Sequence, residues 1–136
     1  MVAVHASINQ SYRATPDIVP TLRHALADYA QSIGIRGAQL DGVRLAVSEA
    51  ISNVVLHAYE DEPGYVHVTA RVVGDELWIL VADDGRGPNT SPIRAGLGWG
   101  LAFITDAADE FALAERAGGG TEARMMFRLP TGSHVH

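Results

Sequence analysis

The chain has 136 residues, no cysteine and a formal net charge of −6, from 16 acidic residues and 10 basic ones that are all arginine. This length is typical of one domain, and a composition of 47% apolar and 19% charged residues excludes a disordered chain. An acidic chain without a basic run, and without an apolar run near the roughly 20 residues of a membrane span, is predicted to bind neither nucleic acid nor membrane. No segment has the pattern of an export signal, so we expect a cytoplasmic protein.

The first half of the chain predicts one strand and two helices. Residues 4–14 mix apolar and polar side chains without a clear period, which is typical of an irregular edge strand. The threonine, proline and aspartate at 15–17 open a first helix, which ends at Gly34. A second helix follows over about 40–59. Its apolar stripe has helical spacing and comprises Leu40, Val43, Val47, Ala50, Ile51, Val54 and Ala58.

The second half of the chain predicts four strands, a glycine-broken segment and a short helix. The predicted elements are a strand over 65–73, a turn at 74–75, a strand over 76–82, the glycine-broken segment over 83–100, a helix over 101–108 and strands over 110–115 and 121–129. Adjacent strands favour hairpins, so we predict a single α+β domain over residues 1–136. It is a two-layer α/β sandwich, with a mixed, mostly antiparallel sheet and helices on one face.

A row of polar side chains follows one face of the second predicted helix. Glu49, Asn53 and His57 are four residues apart, so they stack along the helix beside its apolar stripe. A carboxylate and a carboxamide in such a row can abstract a proton and bind a cation through an oxygen. An ordinary solvated face is the better interpretation of this row alone, and a metal pair of Glu49 and His57 lacks a third ligand.

The first glycine-rich loop directly follows an apolar strand. Asp83 at the strand end can accept a hydrogen bond from an exocyclic amine such as that of adenine, and Gly85 and Gly87 allow the backbone to approach a ligand closely. A tight turn at the strand end explains the same residues equally well.

The second glycine-rich loop precedes the short predicted helix. Gly96, Gly98 and Gly100 leave free amides at a helix start, where the helix dipole favours an anion such as phosphate. The pattern fits neither a dinucleotide fingerprint, which needs a preceding strand, nor a P-loop, because the chain has no lysine. A later run of three glycines ending at Gly120, followed by Thr121, is either a flexible hairpin or a second phosphate contact.

Together these segments resemble the motifs of the GHKL ATPases, the family of gyrase, histidine kinases and MutL. The resemblance is carried by residues 49–59 as the N box, Asp83-x-Gly85-x-Gly87 as the first glycine box, Gly96-x-Gly98-x-Gly100-Leu101 as the second and Gly120-Thr121 as the closing motif. The sequence of the N box, with its acidic residue, asparagine and His-Ala-Tyr ending, is most similar to that of the anti-sigma-factor serine/threonine kinases.

The resemblance implies a Bergerat-type fold that binds ATP and Mg²⁺. The roles it implies are a general base for Glu49, a Mg²⁺ ligand for Asn53, adenine recognition for Asp83, close approach to the base for Gly85 and Gly87, a phosphate cradle for Gly96, Gly98, Gly100 and the adjoining Leu101, and support of the adenine side or of a phosphate for Thr121.

The segment between the two glycine boxes, residues 88–95, corresponds to the ATP lid of that family. It is short, and Arg94 is its one basic residue, so this arginine is either a solvated loop charge or a contact to the terminal phosphate. Asp84, in the first glycine box, stands where many members of the family carry asparagine.

The function that the resemblance implies is that of an ATP-dependent serine/threonine protein kinase acting as an anti-sigma factor. Its partners would be an anti-anti-sigma protein of the STAS class, as the phosphorylation substrate, and a sigma factor that it sequesters. A homodimer is compatible with this, although no interface is visible in the sequence. The alternatives are a catalytically silent ATP-binding module, which the short lid favours, and a histidine-kinase-like ATPase domain.

Overall fold

The computed structural model describes residues 7–58, 64–85 and 102–130. Its elements are, in chain order, strand β1 (Ile8–Arg13), helix α1 (Ile18–Ser32), helix α2 (Gly37–Asn53), a π-helical turn (Val54–Ala58), and strands β2 (Tyr65–Val73), β3 (Glu76–Asp83), β4 (Glu110–Glu115) and β5 (Thr121–Arg128). A short helix also covers residues 102–107.

The five strands form one sheet in the order β1-β2-β3-β5-β4. All four pairings between these strands are antiparallel, so the described sheet is wholly antiparallel rather than mixed. The predicted hairpin of β2 and β3 is confirmed, with Val73 opposite Glu76 around Gly74, whose φ of +62° suits a tight turn. As predicted, β1 is an edge strand.

The hydrophobic core lies between the helices and one face of the sheet, which confirms the α+β sandwich. The strands alternate so that Val68, Val81 and Ala123 share the core face across β2, β3 and β5. Every residue of the apolar stripe predicted for the second helix is buried. Among the described residues, no helix has the length and continuous apolar character needed to cross a bilayer.

The second helix differs from its prediction at both ends. It begins at Gly37, three residues before the predicted start, and its α-helical part ends at Asn53. The predicted continuation to residue 59 is instead a π-helical turn as far as Ala58. The apolar stripe continues through this turn, because Val54 and Ala58 are both buried, so hydrophobic spacing does not reveal the change. Single π turns are frequent at functional sites.

Candidate functional site

A mostly apolar pocket lies between the end of α2, the helix at 102–107 and the core face of β3, β4 and β5. Its cavity volume is about 30 Å³, small beside the roughly 300–1,000 Å³ of typical ligand sites. Its lining residues are Ala50, Asn53, Val54, Val81, Asp83, Ile104, Phe111, Leu113, Thr121 and Ala123. The three polar members, Asn53, Asp83 and Thr121, are all residues that the sequence predicted to bind the nucleotide, and three separate elements bring them together.

The carboxylate of Asp83 is buried in the wall of this pocket. Asp83 is the last residue of β3 and is only 3% exposed. The backbone N–H of Gly85 donates to its Oδ1 at 2.8 Å. Burial raises the pKa of Asp83, whereas the backbone amides of Gly85 and Thr121 lower it. A carboxylate has about four acceptor sites, so capacity remains for a donor inside the pocket.

The hydroxyl of Thr121 is a second buried polar group of the pocket. Thr121 begins β5 and is 5% exposed, and its Oγ1 has no hydrogen-bond partner among the described residues. An unpaired buried hydroxyl costs about 1–3 kcal/mol, and buried polar groups in folded proteins are nearly always paired. A ligand that hydrogen bonds to Oγ1 would remove this cost.

Two glycines let three backbone segments meet beside the pocket. A Cβ added to Gly120, which has a φ of +100°, would lie 1.9 Å from the carbonyl oxygen of Asp83. A Cβ added to Gly85 would lie 2.2 Å from the carbonyl oxygen of Ala58 in the π turn. Gly120 therefore belongs to a close-packed turn rather than a flexible hairpin, and its carbonyl accepts a hydrogen bond from the N–H of Arg116 at 3.0 Å. The close approach predicted for Gly85 is here to the protein backbone.

The polar face of α2 lies at the opposite end of the pocket. Glu49 and Asn53 are one turn apart and half-buried, and only Asn53 lines the pocket. Neither side chain makes a hydrogen bond or ion pair within the part of the chain that the structure describes. Both are therefore available to a ligand. The side chain of His57 lies outside the described part.

Several predicted site residues cannot be placed with this pocket. Gly87, Arg94, Gly96, Gly98, Gly100 and Leu101 lie outside the described residues, so the phosphate cradle and the lid contact stay predictions. Over residues 7–58, 64–85 and 102–130 no three His, Asp or Glu side chains group as a metal site. Mg²⁺ is usually held by one or two protein ligands together with substrate phosphates and water, and the oxygen of Asn53 fits that chemistry.

Sequence reasoning missed a polar network on the other side of the same strand end. Nη1 of Arg116 donates to the carbonyl oxygen of Asp83 at 3.0 Å and to Oδ1 of Asp84 at 2.6 Å. Nε2 of His67 lies 2.6 Å from Oδ2 of Asp84, and its Nδ1 lies 2.6 Å from Oγ of Ser11. The hydrogen bond with His67 is the main reason that the pKa of Asp84 is lowered. The pairing of β1 with β2, which sets Ser11 opposite His67, is the one signal that could have indicated it.

The pocket walls on β4 were also missed, although their signal was present. Phe111 and Leu113 alternate with small or charged residues along β4, and this places both on the core face. The sequence pattern of β4 predicts a strand and gives it no part in the site.

A comparison with protein-family models matches residues 12–127 to the histidine kinase-like ATPase domain. The chain is 29% identical over 98 residues to the serine-protein kinase RsbW of Bacillus mycoides, which covers 72% of this chain and 61% of that relative. It is 37% identical over 65 residues to an anti-sigma F factor of Clostridium acetobutylicum, covering 48% and 46% of the two chains.

A solved structure of an RsbW domain has a similar fold. The chain superposes on a crystal structure of the RsbU and RsbW domains of a Mycobacterium tuberculosis protein with a TM-score of 0.72 and 26% identity. The superposition covers 91% of this chain and 32% of that one. The chain spans 61% of the length of the Bacillus mycoides relative and 46% of the Clostridium acetobutylicum relative.

Proposed function

The chain belongs to the histidine kinase-like ATPase domain family, and we propose that it is an ATP-dependent protein serine/threonine kinase that acts as an anti-sigma factor. Its substrate would be an anti-anti-sigma protein of the STAS class, and its second partner a sigma factor that it sequesters. The names of its relatives, serine-protein kinase and anti-sigma F factor, support this reading.

The observation that carries the proposal is the composition of the pocket. Apolar walls suit a flat aromatic base, and Asp83 presents acceptor oxygens to an amino group such as that of adenine. The unpaired hydroxyl of Thr121 in the same wall gives the base or a bridging water a further contact. These features together fit an adenine nucleotide better than a purely apolar ligand.

The polar face of α2 supplies the groups for phosphoryl transfer. Asn53 would hold Mg²⁺, which when bound offsets the negative charge of the phosphates. Glu49, one turn before it and without a described partner, would take the proton from the incoming serine or threonine hydroxyl. Gly87 would allow close approach to the base, and the contacts proposed for Arg94, Gly96, Gly98, Gly100 and Leu101 would hold the phosphates. We infer one such ATP-binding domain over residues 1–136, in the cytoplasm, and compatible with a homodimer.

The direct test combines the purified chain, labelled Mg-ATP and a purified STAS-domain protein of the same organism. We expect label on the partner that is stable to acid but not to base, as phosphoserine is. Glu49→Gln should lower the rate about 100-fold or more while leaving ATP affinity unchanged, because it removes the general base and no nucleotide contact. Glu110→Gln, at an exposed position on β4, is the matched control and should transfer phosphate at the wild-type rate.

Other results of this test identify the alternatives. ATP binding without phosphotransfer, in both the wild type and Glu49→Gln, would contradict the kinase and leave a silent nucleotide-binding module. Label that is lost in acid would instead point to histidine phosphorylation and to a histidine-kinase-like domain.

A further inference from the structure

Asp84 adds a second carboxylate directly after the pocket carboxylate of Asp83. Successive side chains of an extended chain point to opposite sides, so Asp84 lies on the side of the sheet away from the helices. Its contact with His67 confirms this, because the neighbours Val66 and Val68 of His67 face the core. The Asp84 side chain is 55% exposed, whereas Asp83 is buried. Two adjacent negative charges therefore flank the strand end, one inside the pocket and one outside.

Arg116 connects these two acidic residues. Its Nη1 donates both to Oδ1 of Asp84 and to the carbonyl oxygen of Asp83, at 2.6 and 3.0 Å. The same carbonyl is in close contact with Gly120, so it is enclosed by Arg116 on one side and by backbone on the other. His67 holds the second oxygen of Asp84. The strand end is thus fixed from outside the pocket.

The charge of Arg116 also affects the protonation of Asp83. Burial is the main cause that raises the pKa of Asp83, the backbone N–H groups of Gly85 and Thr121 lower it, and the opposing charges of Asp84 and Arg116 have smaller effects. An ionised carboxylate only accepts hydrogen bonds, while a protonated one can also donate. An acceptor-only group matches the amino group of adenine and repels the carbonyl oxygen of hypoxanthine.

We propose that Arg116 is a positioning residue that fixes the backbone of Asp83, and with it the direction of the Asp83 carboxylate, and so sets the preference for adenine over hypoxanthine nucleotides. The inference rests on the proposed ATP site. Arg116 does not line the pocket, so it acts through Asp83 rather than by touching the nucleotide. Asp84 accepts the second hydrogen bond of the same Nη1, so the arginine bridges the two residues at the strand end.

The test measures the dissociation constants of Mg-ATP and Mg-ITP by calorimetry for the full chain and two variants. Arg116→Met should lower the ratio of ATP to ITP affinity about tenfold, because a charge-assisted contact beside the reading group is lost. Arg124→Met is the matched control. Arg124 lies on the same face of the sheet and pairs with Glu122 at 2.7 Å, but has no contact with Asp83, so its ratio should stay at the wild-type value.

Recovery of the affinity ratio by a conservative substitution distinguishes this positioning role from a general structural role of Arg116. Arg116→Lys, which keeps the charge and an N–H donor, should recover most of the ratio. If Arg116→Met does not fold in a thermal melt, Arg116→Gln takes its place and is judged by the same ratio.

The outcomes distinguish this inference from the proposed function. A wild-type chain that binds neither nucleotide would overturn the ATP site itself. A wild-type chain that prefers ATP, with an unchanged ratio in the Arg116 variant or an equal loss of ATP and ITP affinity, would overturn only the role of Arg116.

Discussion

At the sheet end of the pocket, Asp83 is held by the amide of Gly85 and by close contact with Gly120, and its neighbour Asp84 is held by His67 and Arg116. At the helix end, Glu49 and Asn53 have no partner among the described residues. The polar groups at the sheet end are therefore held by protein contacts, whereas those at the helix end are free to bind a ligand.

The difference fits the proposed division of the site between the base and the phosphates. A rigid, hydrogen-bonded wall loses little freedom on binding and suits recognition of an invariant flat base. Free carboxylate and carboxamide groups suit a metal ion and a reacting hydroxyl, whose positions change during phosphoryl transfer.

The substitution expected to have the largest effect at the sheet end of the pocket is Gly120→Ala. The added Cβ would meet the carbonyl oxygen of Asp83 at 1.9 Å, and the φ of +100° is one that side chains rarely adopt. We expect a loss of about 3 kcal/mol or more in the free energy of unfolding, measured by urea titration. Gly118→Ala is the control. Gly118 also has a positive φ, of +87°, but nothing within 4 Å of the added Cβ, so its loss should be about 1 kcal/mol. Equal losses in the two variants would contradict the close-packed turn.

A pair of substitutions sharpens the comparison between base and phosphate ends. Asp83→Asn should weaken ATP and adenosine alike, about 10- to 100-fold, because both carry the amino group that Asp83 is proposed to accept from. Asn53→Ala should weaken Mg-ATP but leave adenosine unchanged, because adenosine has no phosphates for a magnesium ion to bridge. Calorimetry with both ligands checks this, and loss of adenosine binding in Asn53→Ala would contradict the division of roles.

The smallest expected effect is on the pH dependence of stability, where the two adjacent carboxylates act in opposite directions. The hydrogen bond with His67 lowers the pKa of Asp84, so its stabilisation is present above about pH 4 and is lost as the pH falls through the lowered value. Burial raises the pKa of Asp83, so stability declines as the pH rises from about 4 through the raised value.

Denaturant titrations at several pH values would measure these contributions. Asp84→Asn should remove the acid loss, by less than about 1 kcal/mol because the group is exposed, and Asp83→Asn should remove the decline at higher pH. Changes of the same sign in the two variants would be inconsistent with this assignment.

The sequence predicted most of the fold because its signals are local. Apolar residues that alternate along β2, the mostly apolar run of β3 and the glycine turn between them predicted the bounds of this hairpin to within one residue. The helix at 37–53 was misplaced at its start, since no capping side chain marks Gly37. The π turn was missed because its buried residues, Val54 and Ala58, keep the spacing of an α-helix.

The site also has residues that local sequence motifs predict and residues that they do not. Asp83, Asn53 and Thr121 were predicted because motif order identifies them, and the pocket brings them together. Arg116 was not predicted, since its contacts with Asp83 and Asp84 join segments more than 30 residues apart in sequence and depend on strand order. Spacing along the chain contains no information on such contacts.

The contact of Gly85 with the carbonyl of Ala58 has a mechanical consequence. It joins the helix that carries Asn53 to the strand that carries Asp83 without an intervening side chain that could rotate or yield. The separation of the two elements at this point is therefore set by backbone against backbone, and rotation of a side chain cannot change it.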